Sequence, residues 1–171
     1  MSKATGYSIW LMPEEGMIRE RFQSIITELS GKYESPRFEP HVTLIGGVNG
    51  DQKNVIAKTH EIARKIRPFF IGLTDVGVTD QYFKALFVMA KETPELMGAN
   101  KIAQEIYGTE QQYMPHLSLL YGNFDHYMKE GIVDSLGNTN FSDVGFPVTA
   151  LHLYKTEGNV WEWYEVAKFA L

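Results

Sequence analysis

The chain has 171 residues, 44% hydrophobic and 22% charged, with no cysteine and a formal net charge of −5. This length and composition fit one globular domain, and the lack of cysteine excludes a disulfide scaffold, a thiolate metal site and a cysteine nucleophile. The negative balance argues against a protein that coats nucleic acid by bulk charge, although a local pocket can differ in sign from the whole surface. No apolar run approaches the ~20 residues of a membrane span, and the opening MSKATGYSIW lacks the apolar stretch of a signal peptide. The expectation is a cytoplasmic protein folding as a single unit over 1–171, a monomer by default, with no membrane partner.

In chain order, residues 7–12 (YSIWLM) predict a first strand stopped by Pro13. Over 14–29, Met17, Ile18, Phe22, Ile25, Ile26 and Leu29 recur at helical spacing, and Gly31 supplies a stop. Residues 41–45 predict a short strand before Gly46-Gly47, and 54–66 a second helix ending before Pro68. Residues 69–79 and 85–90 predict two strands joined as a hairpin around 80–84. A third helix is expected over 93–107, with Thr93 as N-cap and Pro94 in its first turn. Residues 116–121 predict another short strand and 125–136 a short helix. Finally, 148–155 and 160–169 flank TEGN as a hairpin, in which Trp161 and Trp163 share a strand face. Helices interleaved with antiparallel hairpins make the fold class α+β.

One internal repeat stands out. FEPHVTLIGG (38–47) overlies YMPHLSLLYG (113–122) without a gap, matching Pro40 to Pro115, His41 to His116, Thr43 to Ser118 and Gly47 to Gly122. A His-apolar-hydroxyl-apolar tetrapeptide is expected only about 0.1 times by chance in a chain of this size. Side chains alternate along a strand, so His41 and Thr43 share one face while Val42 and Leu44 share the other, and His116 and Ser118 repeat the pattern. Packed as pseudo-symmetric lobes, the copies bring two imidazoles and two hydroxyls to one cleft. That set suits a phosphodiester: one neutral imidazole takes a proton from water, and the other, protonated, donates to the leaving oxygen. The hydroxyls hydrogen-bond the non-bridging oxygens as charge builds. Fold stability alone gives no reason to repeat His-x-hydroxyl on a polar face. The remaining histidines carry structural readings: His60 solvated on a helix, His126 at a helix start, and His152 on a strand beside Tyr154.

At these residues the chain resembles the two-histidine (2H) phosphoesterase superfamily, whose members carry two His-x-Thr/Ser motifs in duplicated lobes. Within it the chain is most similar to the cyclic phosphodiesterases of plants and yeast, through YSIWLMP, FEPHVTLIGG, MPHLSLLYG and the LYKTEG hairpin. The resemblance covers nearly the whole chain. It implies a bilobal duplicated fold, two antiparallel sheets with outer helices around a central cleft, and hydrolysis without metal or cofactor. It implies small cyclic phosphates as substrates: ADP-ribose 1″,2″-cyclic phosphate and nucleoside 2′,3′-cyclic phosphates, by-products of tRNA splicing and RNA breakdown. His41 and His116 are then the acid–base pair, Thr43 and Ser118 the phosphate ligands, and Tyr121 a contact to phosphate or ribose. In such relatives the second-motif histidine activates water, which would make His116 the base and His41 the acid.

Tyr82, Phe83, Trp10, Trp161 and Trp163 are candidates to stack a base, although most large aromatics in a small lobe belong to its core. Lys84 reads as an ordinary solvated lysine. Two other functions compete: action on RNA ends or 2′,5′-linked oligonucleotides, and a non-catalytic nucleotide- or RNA-binding module. Acidity and shortness weigh against long RNA, and two intact motifs weigh against binding alone. No carboxylate or third histidine falls at metal-ligand spacing near either motif.

Overall fold

Each segment whose apolar spacing predicts a helix or strand contains one. The computed structural model describes residues 2–137 and 139–171. In chain order it forms β1 (Tyr7–Leu11), α1 (Met17–Lys32), β2 (Val42–Val48), α2 (Gln52–Lys65), β3 (Phe69–Val78) and β4 (Leu86–Ala90). Then come α3 (Pro94–Tyr107), β5 (His116–Leu120), α4 (His126–Ser135), β6 (Gly145–Val148), β7 (Ala150–Lys155) and β8 (Tyr164–Ala170). The helix starts are written locally: Asp51, Thr93 and Asp125 each accept a hydrogen bond from the backbone N–H three residues on. Among the described residues, no helix is long and apolar enough to cross a membrane.

The strands lie in the order β6-β3-β4-β5-β2-β1-β7-β8, every neighbour antiparallel. The expected two sheets are therefore two four-stranded halves, β5-β4-β3-β6 and β2-β1-β7-β8, joined edge to edge. The join rests on a single register position, Val42 opposite Leu117. Both motif strands thus sit at the centre, and the C-terminal hairpin completes the half that β1 and β2 begin.

Helices and side chains brace the narrow join. α1 packs on β5 and α3 on β2, so each motif strand is covered by the helix that precedes the other motif. Asn100 on α3, buried, donates to Leu44 O at 2.8 Å. The aromatic residue three before each motif histidine also reaches across: Tyr113 donates its hydroxyl to Thr43 O at 3.0 Å, and Phe38 stacks on Tyr121 at 3.8 Å. Ile9, Leu11, Phe22, Leu44, Leu73, Leu86, Leu117 and Phe146 form one core through both halves. Burying each such side chain contributes roughly 1.5–3 kcal/mol.

Three local features depart from the sequence expectation, the first being that α1 runs through Gly31, the expected stop, to Lys32 with Tyr33 as its C-cap. β6 pairs with β3 at the sheet edge, where Pro147 can be tolerated because its missing N–H faces no partner strand. Its four residues carry too weak a strand signal to register. The predicted strand over 160–169 begins only at Tyr164. Val160–Glu162 is instead a 3-10 turn, held by a capping box in which Asn159 N donates to Glu162 Oε2 at 2.7 Å. The turn breaks the two-residue alternation, leaving Trp161 62% exposed while Trp163 is half-buried against the cleft.

Candidate active site

The join between the halves builds the site. With Val42 opposite Leu117 in an antiparallel register, the flanking positions face each other crosswise: His41 toward Ser118, and Thr43 toward His116. Val42 and Leu117 are fully buried on the core side. The four polar side chains line a cleft of about 420 Å³, together with Tyr121, Trp10, Phe83 and Lys84. The sequence-predicted site residues are therefore all in one place.

The Pro-His step orients each imidazole. The fixed φ of the proline sets the backbone between the histidine and the carbonyl two residues back, which faces the ring in both copies. His41 Nδ1 donates to Glu39 O at 2.6 Å, and His116 Nδ1 donates to Met114 O at 2.8 Å. A carbonyl can only accept, so both neutral rings carry their proton on Nδ1, leaving Nε2 of each for a ligand.

The two environments differ. His41 is 5% exposed, and its ring lies face to face on Trp10 at 3.6 Å, with 7° between planes. Burial pushes its pKa down to about 3, against the Glu39 carbonyl, with a smaller contribution from His116. His116 is half-buried beside the edge of Phe87, 5.2 Å between centroids. Burial lowers its pKa too, the Met114 carbonyl opposes this, and the Lys84 ammonium lowers it further. Lys3 and Lys84 line the cleft and no carboxylate does, so the sign of this pocket is opposite to that of the chain as a whole. Among the described residues, no three His, Cys, Asp or Glu side chains are placed to hold a metal ion.

Ser118 is buried and donates its hydroxyl to Phe83 O at 3.1 Å, while Tyr121 interacts with the same serine. Tyr121 is itself buried, one face covered by Phe38, with Phe83 set edge-on at 5.3 Å. Burial raises its pKa, so the phenol remains a donor. The first copy has Gly46 at this place. A Cβ there would lie 3.3 Å from Ser8 Oγ and 3.4 Å from Thr43 Cγ2, so any side chain at this place requires those two to shift.

The stacking candidates separate clearly. Trp10 has both faces taken, by His41 and by Tyr154 at 3.8 Å, so it braces the histidine and has no face left for a base. Phe83 and Trp163 remain on the cleft wall, whereas Tyr82 and Trp161 do not line it. Lys84, expected to be solvated, is half-buried in the cleft. Sequence reasoning also missed Thr5, Gln81 and Thr156. Thr156 lies 3.0 Å from Ser8 through their hydroxyls, and its signal was the TEG that follows β7. The other histidines stand apart: His60 stacks on Phe169, His126 meets Glu130 at 3.0 Å, and His152 meets Glu165 at 2.7 Å.

Comparison with known proteins agrees with this architecture. The cyclic phosphodiesterase of Arabidopsis thaliana is 25% identical over 155 residues, covering 88% of this chain and 85% of that protein. A 2′,3′-cyclic-nucleotide 3′-phosphodiesterase of Yarrowia lipolytica is 29% identical over 119 residues, 64% of this chain and 52% of that protein. E. coli LigT, solved in complex with 3′-AMP, shares the fold over 99% of both chains at a TM-score of 0.64 and 13% identity. A structure from Thermus thermophilus does so over 97% of this chain and 96% of that one, at a TM-score of 0.64 and 18% identity. The family described as cyclic phosphodiesterase-like protein matches residues 5–171, both repeats included. With the paired motifs, the halved sheet and that match in agreement, the chain belongs to the cyclic phosphodiesterase-like family of two-histidine phosphoesterases.

Proposed function

We propose that the chain hydrolyses a cyclic phosphate on a ribose to a phosphomonoester, by histidine acid–base chemistry in the cleft between β2 and β5. Its candidate substrates are nucleoside 2′,3′-cyclic phosphates, leaving as 2′-phosphates, and ADP-ribose 1″,2″-cyclic phosphate, leaving as the 1″-phosphate. The observation that carries this reading is the matched pair of tethers: two imidazoles, each held through Nδ1 by the carbonyl two residues back, bordering one carboxylate-free cleft with two hydroxyls.

Water attacks phosphorus in line with the departing ribose oxygen. As the new P–O bond forms, one Nε2 takes the water proton; as the old P–O bond breaks, the other Nε2 gives a proton to the ribose oxygen. Thr43 and the Lys84 ammonium stabilise charge gathering on the non-bridging oxygens, and Ser118 joins them by turning its one hydroxyl proton from Phe83 O to the phosphate. Tyr121 supplies a further donor at phosphate or ribose. With His116 as base and His41 as acid, His41 must bind its proton together with the anionic substrate, because it is neutral in the free protein down to about pH 3. The phosphate charge then offsets the water lost on burial, and the Glu39 carbonyl and the Trp10 face favour the cation. Exchange with water after product release resets both rings.

The test is turnover of 2′,3′-cyclic AMP and ADP-ribose 1″,2″-cyclic phosphate in EDTA, with products identified by phosphorus NMR. We expect a 2′- or 1″-phosphomonoester, and a loss of about 100-fold or more in His41→Ala and in His116→Ala. Full turnover in either variant overturns the acid–base pair. Absence of turnover on both substrates overturns the reaction and favours a binding role.

A further inference from the structure

Behind the cleft wall lies a second cavity of about 370 Å³, which shares Trp10 and Trp163 with the cleft. Arg37 and Trp161 stand on its margin, with Tyr154 and Glu39 on its walls. Its chemistry is unlike that of a patch left over from folding. Arg37 is exposed, and among the described residues no carboxylate lies within ion-pair distance of it; the nearby Glu39 is bound to Arg19 at 2.7 Å. Trp161 offers an indole that is 62% exposed, held outward by the capped 3-10 turn. Trp163 Nε1, on the shared wall, is buried with no hydrogen-bond partner.

We propose that this annex is a subsite for a distal, anionic and aromatic portion of the substrate: a second nucleoside carried on a phosphate or pyrophosphate from the ribose that bears the cyclic phosphate. The inference rests on the cyclic-phosphate reading of the cleft. A 2′,3′-cyclic mononucleotide keeps its base and its cyclic phosphate on one ribose, so it has nothing to place beyond the Trp10–Trp163 wall. A substrate extended at its 5′ side does. A guanidinium matches a phosphate or pyrophosphate through paired N–H donors, and an exposed indole stacks a base without regard to its sequence. A cavity of this size is also in the range that holds a small-molecule fragment.

The annex is coupled to the chemistry by the chain itself. Arg37 stands two residues before Glu39, whose carbonyl holds His41 Nδ1, and Phe38 between them is clamped on Tyr121. Anchoring Arg37 on a distal phosphate steadies the segment that aims His41, so remote binding serves orientation at the reacting centre.

The test separates this inference from the reaction on which it rests. Binding of ADP-ribose and of ribose 5-phosphate, which lacks the distal nucleoside, to the full chain is measured by calorimetry and tryptophan fluorescence, neither of which requires turnover. The wild-type protein is expected to bind ADP-ribose at least tenfold more tightly than ribose 5-phosphate, and Arg37→Gln and Trp161→Ala each to erase most of that preference. In turnover, Arg37→Gln should lower by about tenfold the ratio of kcat/KM for ADP-ribose 1″,2″-cyclic phosphate over 2′,3′-cyclic AMP. A merely structural role would lower both substrates together and leave the ratio unmoved. The subsite is overturned when wild type shows no preference for ADP-ribose, or when the preference survives in both variants. If neither cyclic phosphate is hydrolysed, the proposed reaction falls while the binding comparison still decides the annex.

Discussion

Burial of His41 makes a quantitative claim about stability in acid. In the folded protein its pKa is pushed from 6.5 down to about 3, chiefly by loss of water. The unfolded chain therefore binds the proton better, and stability falls as pH drops below 6.5 and continues to fall toward about 3. At pH 5 the group lies about 1.5 units below its unfolded value, which at 1.36 kcal/mol per unit costs about 2 kcal/mol relative to pH 7.5. His41→Gln removes the titration while keeping a side-chain N–H donor. Urea denaturation at pH 7.5 and pH 5 should show the wild-type protein losing about 2 kcal/mol more than the variant over that interval. His116, also lowered by burial, contributes in the same direction to both proteins and cancels in the comparison. Inorganic phosphate should restore part of the loss at pH 5 in the wild-type protein, because a bound anion favours the imidazolium. Parallel pH dependences in the two proteins would refute the reasoning, since the buried ring would then not be excluding its proton.

Lys84→Met removes a cation that lowers the His116 pKa, so the limb of kcat/KM governed by His116 should move to higher pH; a limb that stays in place denies the contact. Gly77→Ala would set a Cβ 2.6 Å from the Phe87 ring, whose edge lies against His116. Overpacking of this kind should cost about 1–3 kcal/mol in denaturation. Turnover at 2′,3′-cyclic AMP should fall with it, and full turnover in a destabilised protein would show that His116 is placed without Phe87. Tyr113→Phe takes the donor from Thr43 O and should lower stability by about 1 kcal/mol in urea denaturation, with the larger effect expected if the carbonyl is left dry.

The sequence was most legible where one period and one local rule were enough. The helix start at Thr93 follows from a short side chain that accepts a backbone N–H, and the strand faces of the two motifs follow from alternation; Asp51 caps by the same rule, two residues earlier than the apolar spacing places that helix. Four site residues, His41, Thr43, His116 and Ser118, could be found because a repeat selects them without any knowledge of contacts, whereas Tyr121, opposite Gly46 in the repeat, came from the family resemblance alone. What was hidden depends on long-range packing. Nothing local says that Lys84 turns into a cleft rather than into water, or that Thr156 arrives there from a hairpin 148 residues after Ser8. Which of the aromatic candidates belong to the core was hidden for the same reason: the partners that bury Trp10, His41 and Tyr154, come from two different neighbouring strand segments. The aromatic alternation of VWEWYEV failed because a capping box outweighed β propensity over three residues.

Duplication explains why two imidazoles meet, and by itself it would also make them equal. Identical Pro-His steps give each ring the same tether, and two rings of equal basicity are poorly suited to be acid and base in one step. The chain breaks that equality outside the repeat. On one side Trp10 covers the His41 ring and β7 brings Tyr154 to back it, while Gly46 keeps the adjoining space free of a second tyrosine. On the other side His116 has only the edge of Phe87, the Lys84 ammonium and partial access to water. The motifs supply the reacting groups. Residues that no repeat contains, above all Trp10 and Lys84, set how tightly each ring holds its proton.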